Sequence, residues 1–238
     1  MDHANPLPSA SRSRELRDGL ADVAPAMVAA IPIGLLFGAL SAAKGLSVLE
    51  VTLMSALVFA GGAQFAAVEI WSYPVPVAAL AFSTLLINAR HVLMSASLAP
   101  KAGRFGRWQR FLGFAVLADE NWAFAERRAA RRPLTVAYFA GMGAPFWLNW
   151  VVWSGLGAVL GSFLGDPKRL GADFAFTALF IGLIASFGRS RITLVAVAAS
   201  AGAAALAFLA FGAPWHVAAG AVAGIGAACL AASPEPSR

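Results

Sequence analysis

Charge is what this sequence has least of. Only 13% of its 238 residues are charged, against 59% hydrophobic, and the mean hydropathy is +0.72. That composition excludes a water-soluble domain and leaves an integral membrane protein. Cysteine is almost missing. Cys229 stands alone, so an intrachain disulfide and a cysteine-built metal site are both excluded, and Cys229 reads as a small buried side chain. Catalytic signatures are missing too. Nothing reads Gly-x-x-x-x-Gly-Lys-Ser/Thr, Gly-x-Ser-x-Gly or His-Glu-x-x-His, so the chain does not itself hydrolyse ATP. An intramembrane hydrolase has only His91 and Ser95 on a shared helix face in its favour. Neither a cofactor nor a metal is implied. Alternating strand patterns are absent, which leaves helices as the spanning elements.

What is there is a series of apolar runs. Residues 23–43, 134–165, 174–188 and 192–234 contain no Asp, Glu, Lys or Arg. Each is long enough, or nearly so, for a helical span of about 20 residues. The last must hold two spans, broken at Gly212-Ala213-Pro214. With the runs at 51–71 and 74–99, the fold class is an all-α polytopic bundle of about 7–8 hydrophobic segments. The domain reading is a tail at 1–17, one polytopic transmembrane domain at 18–232 and a disordered tail at 233–238. The first apolar run, about 20 residues, is too long for a signal h-region, so it is an uncleaved helix.

Net charge is +6. Because the basic residues flank apolar runs, orientation and anionic lipid explain them, and nucleic acid is excluded. Arg12, Arg14 and Arg17, then Lys101 to Arg110, then Arg127 to Arg132, then Arg189 and Arg191 form clusters. Placing these inside puts both termini in the cytoplasm and Lys44, Lys168 and Arg169 outside. The chain must then cross an even number of times between residues 18 and 101. Three apolar segments lie there, so one crossing is shared between broken or re-entrant pieces, with the break at Gly61-Gly62-Ala63-Gln64. The alternative is three ordinary spans with one basic cluster outside. The run at 134–165 is also too long, about 48 Å as one helix against a core of about 30 Å. Gly141-Met-Gly143-Ala-Pro145 is the expected breaking point, and interrupted helices point to a transporter binding site. With that break, Trp147, Trp150 and Trp153 mark an interface; without it, they lie mid-membrane. A faint repeat relates Gly34, Gly38 and Glu50 to Gly157, Gly161 and Asp173 at one constant offset.

The most telling residue is Arg90, a cation inside the apolar run. A charge at the bilayer centre costs at least about 2.5–3.5 kcal/mol and marks a functional site by default. On a helix, Thr84, Asn88, His91 and Ser95 fall at i, i+4, i+7 and i+11, one polar face, with Arg90 on nearly the opposite side. The stripe reads as the lining of a solute path or as packing, and His91 is equally a core histidine. Asp119-Glu120 ends another apolar run, between two basic clusters. That segment enters and returns, or lies at the surface. Its acids are solvated interface groups, or one of them is the counter-ion of Arg90 or a proton carrier.

The order Pro32-x-Gly34-x-x-x-Gly38, Phe59-Ala-Gly61-Gly62-Ala-Gln64-Phe65, Leu86-Ile-Asn88-Ala-Arg90-His91 and Asp119-Glu120 resembles the AzlC family of membrane permeases. That family supplies the large subunit of branched-chain amino-acid exporters. The resemblance covers roughly residues 18–165 and implies a small hydrophobic partner of the AzlD type. It also implies an inner-membrane location and export of leucine, isoleucine or valine. The candidate path residues are Gly61, Gly62, Gln64, Thr84, Asn88, Arg90, His91, Asp119 and Glu120. Backbone amides at Gly61-Gly62, with Arg90 and Asn88, would take the substrate carboxylate. Asp119 or Glu120 would meet its ammonium or carry a coupling proton. Two other classes stand beside this one: a structural or regulatory membrane subunit that does not transport, and a transporter of a different small zwitterion or anion.

Overall fold

The structure is a computed structural model that describes residues 11–163, 181, 190–212 and 215–232. Among these residues there are nine helices and no strand: α1 (Arg12–Ala43), α2 (Val48–Val58), α3 (Gly61–Glu69), α4 (Val77–Leu98), α5 (Arg107–Ala115), α6 (Asp119–Ala129), α7 (Val136–Phe163), α8 (Arg191–Phe211) and α9 (Trp215–Ala231). Four of them, α1, α4, α7 and α8, are long and apolar enough to cross a membrane. The sequence runs at 164–180 and 182–189 lie outside the described residues, as do Asp173, Lys168, Arg169, Arg189 and the 233–238 tail. The chain forms two compact units, one of residues 1–61 and 90–163, the other of 62–89 and 164–238.

The first unit is built on α1 and α7. Gly19, Gly34 and Gly38 of α1 face Tyr138, Trp153 and Ser154 of α7, and Gly141, Gly157 and Gly161 of α7 face Leu16, Leu35 and Ala39 of α1. Both series rise together, so the helices run parallel along their length. A Cβ added at Gly38 would run into the Ser154 carbonyl, and one at Gly157 into the Leu35 carbonyl. Small residues let two backbones touch, which is how helices associate where lipid removes the hydrophobic drive. The repeat partners Gly34/Gly157 and Gly38/Gly161 thus lie in one interface, against each other's helix.

This contact corrects the break expected at 141–145. α7 is unbroken through Pro145. Gly141 and Gly143 are not hinges: Gly141 admits the Leu16 backbone and Gly143 admits Val116. The unbroken helix keeps Trp147, Trp150 and Trp153 in its middle. Trp150 is buried and stacks on Phe37 at 6.0 Å, and Trp147 Nε1 donates to the Ala56 carbonyl at 3.0 Å.

The short helices α2 and α5–α6 approach α7 from opposite ends. Ser47 and Glu50 cap the start of α2 reciprocally, two orphan N–H groups satisfied at once. α2 then runs antiparallel to α7, with Thr52 beside Gly155, Ala56 bonded to Trp147 and Phe59 edge-on to Phe146. It stops at Phe59, which has φ 42° and ψ 49°. A left-handed phenylalanine is rare and strained; burial of its ring, 5% exposed, offsets that. α3 restarts at Gly61, so the expected break exists and lies two residues before the glycine pair. α5 leads to Val116, and α6 turns back. Asn121 makes that turn. It is fully buried, accepts from Ala118 N–H at 2.8 Å and donates to the Val116 carbonyl at 2.7 Å. α6 ends where Arg128 lies over the Tyr138 ring and bonds Glu15 at 2.6 Å. The chain therefore turns back on itself between α5 and α6.

That path gathers the basic clusters. The start of α1 meets the end of α6 through Glu15 and Arg128, Lys101 pairs with Glu126, and Phe105 lies against Phe139. The clusters at 12–17, 101–110 and 127–132 therefore sit at one end of α1 and α7, and Lys44 at the other. That arrangement disfavours three ordinary spans with one of these clusters on the opposite side.

In the second unit α8 packs on α9, with Gly220 and Gly224 against Ser200. α8 stops at Gly212, φ 73°, the break expected from Gly212-Ala213-Pro214. Phe82 of α4 lies 5.2 Å from Trp215.

Candidate functional site

The two helix breaks of the first unit abut the middle of α7. A Cβ on Gly143 would lie 3.2 Å from Val116, while Phe59 touches Phe146 and Gly61 faces the Trp150 ring. Positions 143 and 146 are three residues apart, about 4.5 Å along a helix. Position 143 is seven residues, about 10 Å, inside the start of α7. Backbone groups freed at such breaks are tolerated at membrane depth only where protein or a water-filled cavity surrounds them.

α6 begins at this level with Asp119. Arg90 Nη1 lies 2.5 Å from Asp119 Oδ2. The pair is partly open, its side chains 37% and 49% exposed, and Arg90 Nε has no hydrogen-bond partner among the described residues. An arginine fork keeps further donors in a fixed plane for an incoming carboxylate. Below the pair, α4 and α6 run parallel and are tied twice more. Ser97 Oγ donates to Glu126 at 2.9 Å and accepts from Trp122 Nε1 at 2.8 Å, and Lys101 pairs with Glu126. Arg90 and Asp119 are thus the first rung of a ladder.

The structure brings Arg90 and Asp119 together directly. Glu120 follows on the exposed side of α6 and makes no ion pair among the described residues. His91 is half-buried beside Arg90 on α4. Gly61 sits at the first break, its open face toward Trp150. Gly62, Gln64, Thr84 and Asn88 belong to the second unit. There Gln64 is fully buried on α3, and Asn88 Oδ1 is buried without a hydrogen bond among the described residues. Thr84, Asn88, His91 and Ser95 do share one face of an unbroken α4, and all four are half-buried.

Sequence reasoning missed Asn121, and it placed Ser97 on the Arg90 side of the helix without its partners. Asn121 had a signal, since an amide at the third position of a helix that opens Asp-Glu is the reach-back half of a capping box. The partners of Ser97 had no local signal, because they are 25 and 29 residues away. A second polar cluster at the start of α1 was also missed. Glu15, 7% exposed, accepts from Arg128 and from Thr135 Oγ1 at 2.7 Å, and Tyr138 O–H donates to Asp22 at 2.6 Å. It ties α1, α6 and α7 together at the end where the basic clusters lie. Among the described residues no group of His, Cys, Asp and Glu could hold a metal ion.

Comparison with known proteins follows the same residues. The family described as AzlC protein matches residues 25–164, a stretch that contains both breaks, Arg90 and Asp119. An uncharacterized membrane protein of Archaeoglobus fulgidus is 32% identical over 202 residues, 84% of this chain and 87% of that one. The inner membrane protein YgaZ of Escherichia coli is 30% identical over 212 residues, 85% and 86% of the two chains. The branched-chain amino acid transport protein AzlC of Bacillus subtilis is 31% identical over 153 residues, 63% of this chain and 58% of that one. No solved structure gives a significant match. The family match spans more than half of the chain and the helices that carry the ion pair, and this protein belongs to the AzlC family.

Proposed function

We propose that this chain is the large permease subunit of an exporter of branched-chain amino acids, working by secondary transport coupled to an ion gradient. The observation that carries the reading is the partly open Arg90–Asp119 pair at the start of a half-helix beside a second helix break. A zwitterion needs a cation for its carboxylate and an anion for its ammonium. An ion pair offers both, and a substrate that inserts between the partners exchanges one charge pairing for two. Unbound donors on Arg90 and the half-helix start favour the carboxylate end. Phe59, Phe146 and Trp150 make a buried apolar cluster along α7, and a leucine, isoleucine or valine side chain would need these rings to part. The relative named as a branched-chain amino acid transport protein supports this solute class, the relative named as an inner membrane protein supports an inner-membrane location, and the basic clusters favour cytoplasmic termini.

On this reading a small hydrophobic AzlD-type subunit completes the transporter. The test is efflux. Cells that express the chain with that partner are fed Leu-, Ile- or Val-containing dipeptides, and the intracellular amino acid is followed. Expression should lower the intracellular level of at least one of the three relative to an Arg90→Ala control. Equal levels for all three remove the branched-chain assignment. Flux of another zwitterion in reconstituted vesicles would keep the transporter, and no flux of any solute would leave a structural subunit.

A further inference from the structure

We infer that the outward face of α5 is a binding site for an anionic phospholipid, its phosphate held by Arg107 and Arg110 and its acyl chain by Phe111, Phe114 and Ala115. An open groove of about 620 Å³ runs along this helix, and among the described residues its wall is these five side chains. They fall at i, i+3, i+4, i+7 and i+8, a single helix face. The groove has two chemical ends. The arginines stand on the first turn, directly after the basic stretch that begins at Lys101. The phenylalanines follow toward Val116, the end that abuts Gly143 inside the bundle.

Both cations are available. Among the described residues neither Arg107 nor Arg110 has a carboxylate partner, whereas Lys101 is taken by Glu126. Among the described residues Arg110 Nε is buried without a hydrogen bond, and its Nη2 donates to the Phe105 carbonyl at 3.4 Å. Arg107 is exposed and Arg110 half-buried, and guanidinium groups with no carboxylate beside them suit a multidentate oxyanion. A free phosphate would satisfy the charge but leave the apolar half of the groove uncovered. Trp108, Phe111 and Leu112 are 72%, 65% and 63% exposed on the same helix, and a diacyl chain covers such surface. Basic pockets between helices at the cytoplasmic side are recognised lipid headgroup sites. A lipid there would brace α5 and hold the α5–α6 turn, and with it Asp119, at its depth.

Native mass spectrometry of the full chain in detergent tests this, with phosphatidylglycerol, phosphatidylcholine, glycerophosphoglycerol and inorganic phosphate as probes. The expected result is a phosphatidylglycerol adduct favoured over phosphatidylcholine by about tenfold or more. The adduct is lost in R107Q/R110Q, partly kept in R107K/R110K, and unchanged in R131Q/R132Q, which removes two cations off the groove. Thermal midpoints of all variants check folding, and the lysine pair keeps the test open if the glutamine pair does not fold. Equal retention of the two lipids overturns the proposal. So does equal loss in R131Q/R132Q, or binding of glycerophosphoglycerol or inorganic phosphate as tight as that of the lipid.

Discussion

Arg90 and Asp119 stand 29 residues apart in sequence and 2.5 Å apart in space, and their contact fixes the start of α6 to the middle of α4. If the pair receives the substrate, each partner matters for transport more than for folding. Arg90→Ala and Asp119→Asn should each lower efflux by at least about tenfold while the protein still inserts, and the double variant should be no worse than the more severe single one. Non-additivity of that kind is the signature of groups that act as one unit. Efflux assays with quantified membrane expression check it. Normal efflux in Arg90→Ala would take the residue out of the site.

The buried pair should behave differently from the open one. Glu15 and Arg128 have side chains only 9% and 11% exposed. Removing Glu15 leaves the buried Arg128 with only the more distant Asp18, at 3.9 Å, and breaking a buried pair costs up to about 3–5 kcal/mol. Glu15→Ala should therefore drop the thermal midpoint in detergent, and Glu15→Ala/Arg128→Met should recover part of it. Lys101→Ala, which opens a pair 38% and 24% exposed, should cost about 1 kcal/mol or less. Scanning fluorimetry separates the three, and a Glu15→Ala midpoint equal to that of Lys101→Ala would contradict the burial argument.

Glycines in this chain are not equivalent. Gly38→Ala puts a methyl group into the Ser154 carbonyl and Gly157→Ala into that of Leu35. Neither backbone can yield without parting α1 from α7, so each should cost about 1–3 kcal/mol or more. Gly226→Ala on α9 meets nothing within 4 Å among the described residues and should be neutral or gain up to about 1 kcal/mol of helix propensity. The same thermal assay ranks them, and a destabilised Gly226→Ala with an unaffected Gly38→Ala would reverse the packing assignment.

Orientation is open to direct labelling. The basic clusters at one end of α1 and α7 should face the cytoplasm. In a Cys229→Ser background, a cysteine at Ser11 should resist an impermeant reagent applied outside, and one at Lys44 should react. A cysteine at Ala118, in the α5–α6 turn, should be reached from the inner face. Outside labelling at Ser11 would invert the topology.

The parts of this structure legible in the sequence are those where a local rule forces the outcome. Arg90 needs a partner because an apolar run cannot solvate it, and an acid ending another apolar run was the natural one. Gly212 ends α8 because Gly-Ala-Pro can do little else. The α2–α3 break was foreseeable, but its position was not. The left-handed residue is Phe59, held by ring packing that no local rule reveals, and Gly61 serves to let Trp150 close. Tertiary contact also decided the misreading at 141–145. Two glycines and a proline suggest a hinge until Leu16 and Val116 are seen filling the glycine notches. The α5–α6 turn contains neither glycine nor proline at 116–118, because the Asn121 side chain replaces the missing backbone bonds.

The last prediction assigns the two neighbouring acids different work. Protonating Asp119 would leave Arg90 without its partner, a costly state at membrane depth. Glu120 has no ion-pair partner among the described residues, so a proton there strands nothing. If export is coupled to protons, Glu120 is the better carrier and Asp119 the better substrate ligand. Glu120→Gln should then retain solute exchange across the membrane, because the Arg90–Asp119 pair is intact. It should lose its response to collapse of the proton gradient, because an amide does not titrate. Asp119→Asn should lose exchange and net efflux together. The measurement is counterflow and gradient-driven flux in vesicles that contain the chain and its small subunit, with and without an uncoupler. Uncoupler sensitivity that persists in Glu120→Gln removes Glu120 as the carrier. If it persists in the Glu120→Gln/Asp119→Asn double as well, the proton, or another coupling ion, travels by a different group.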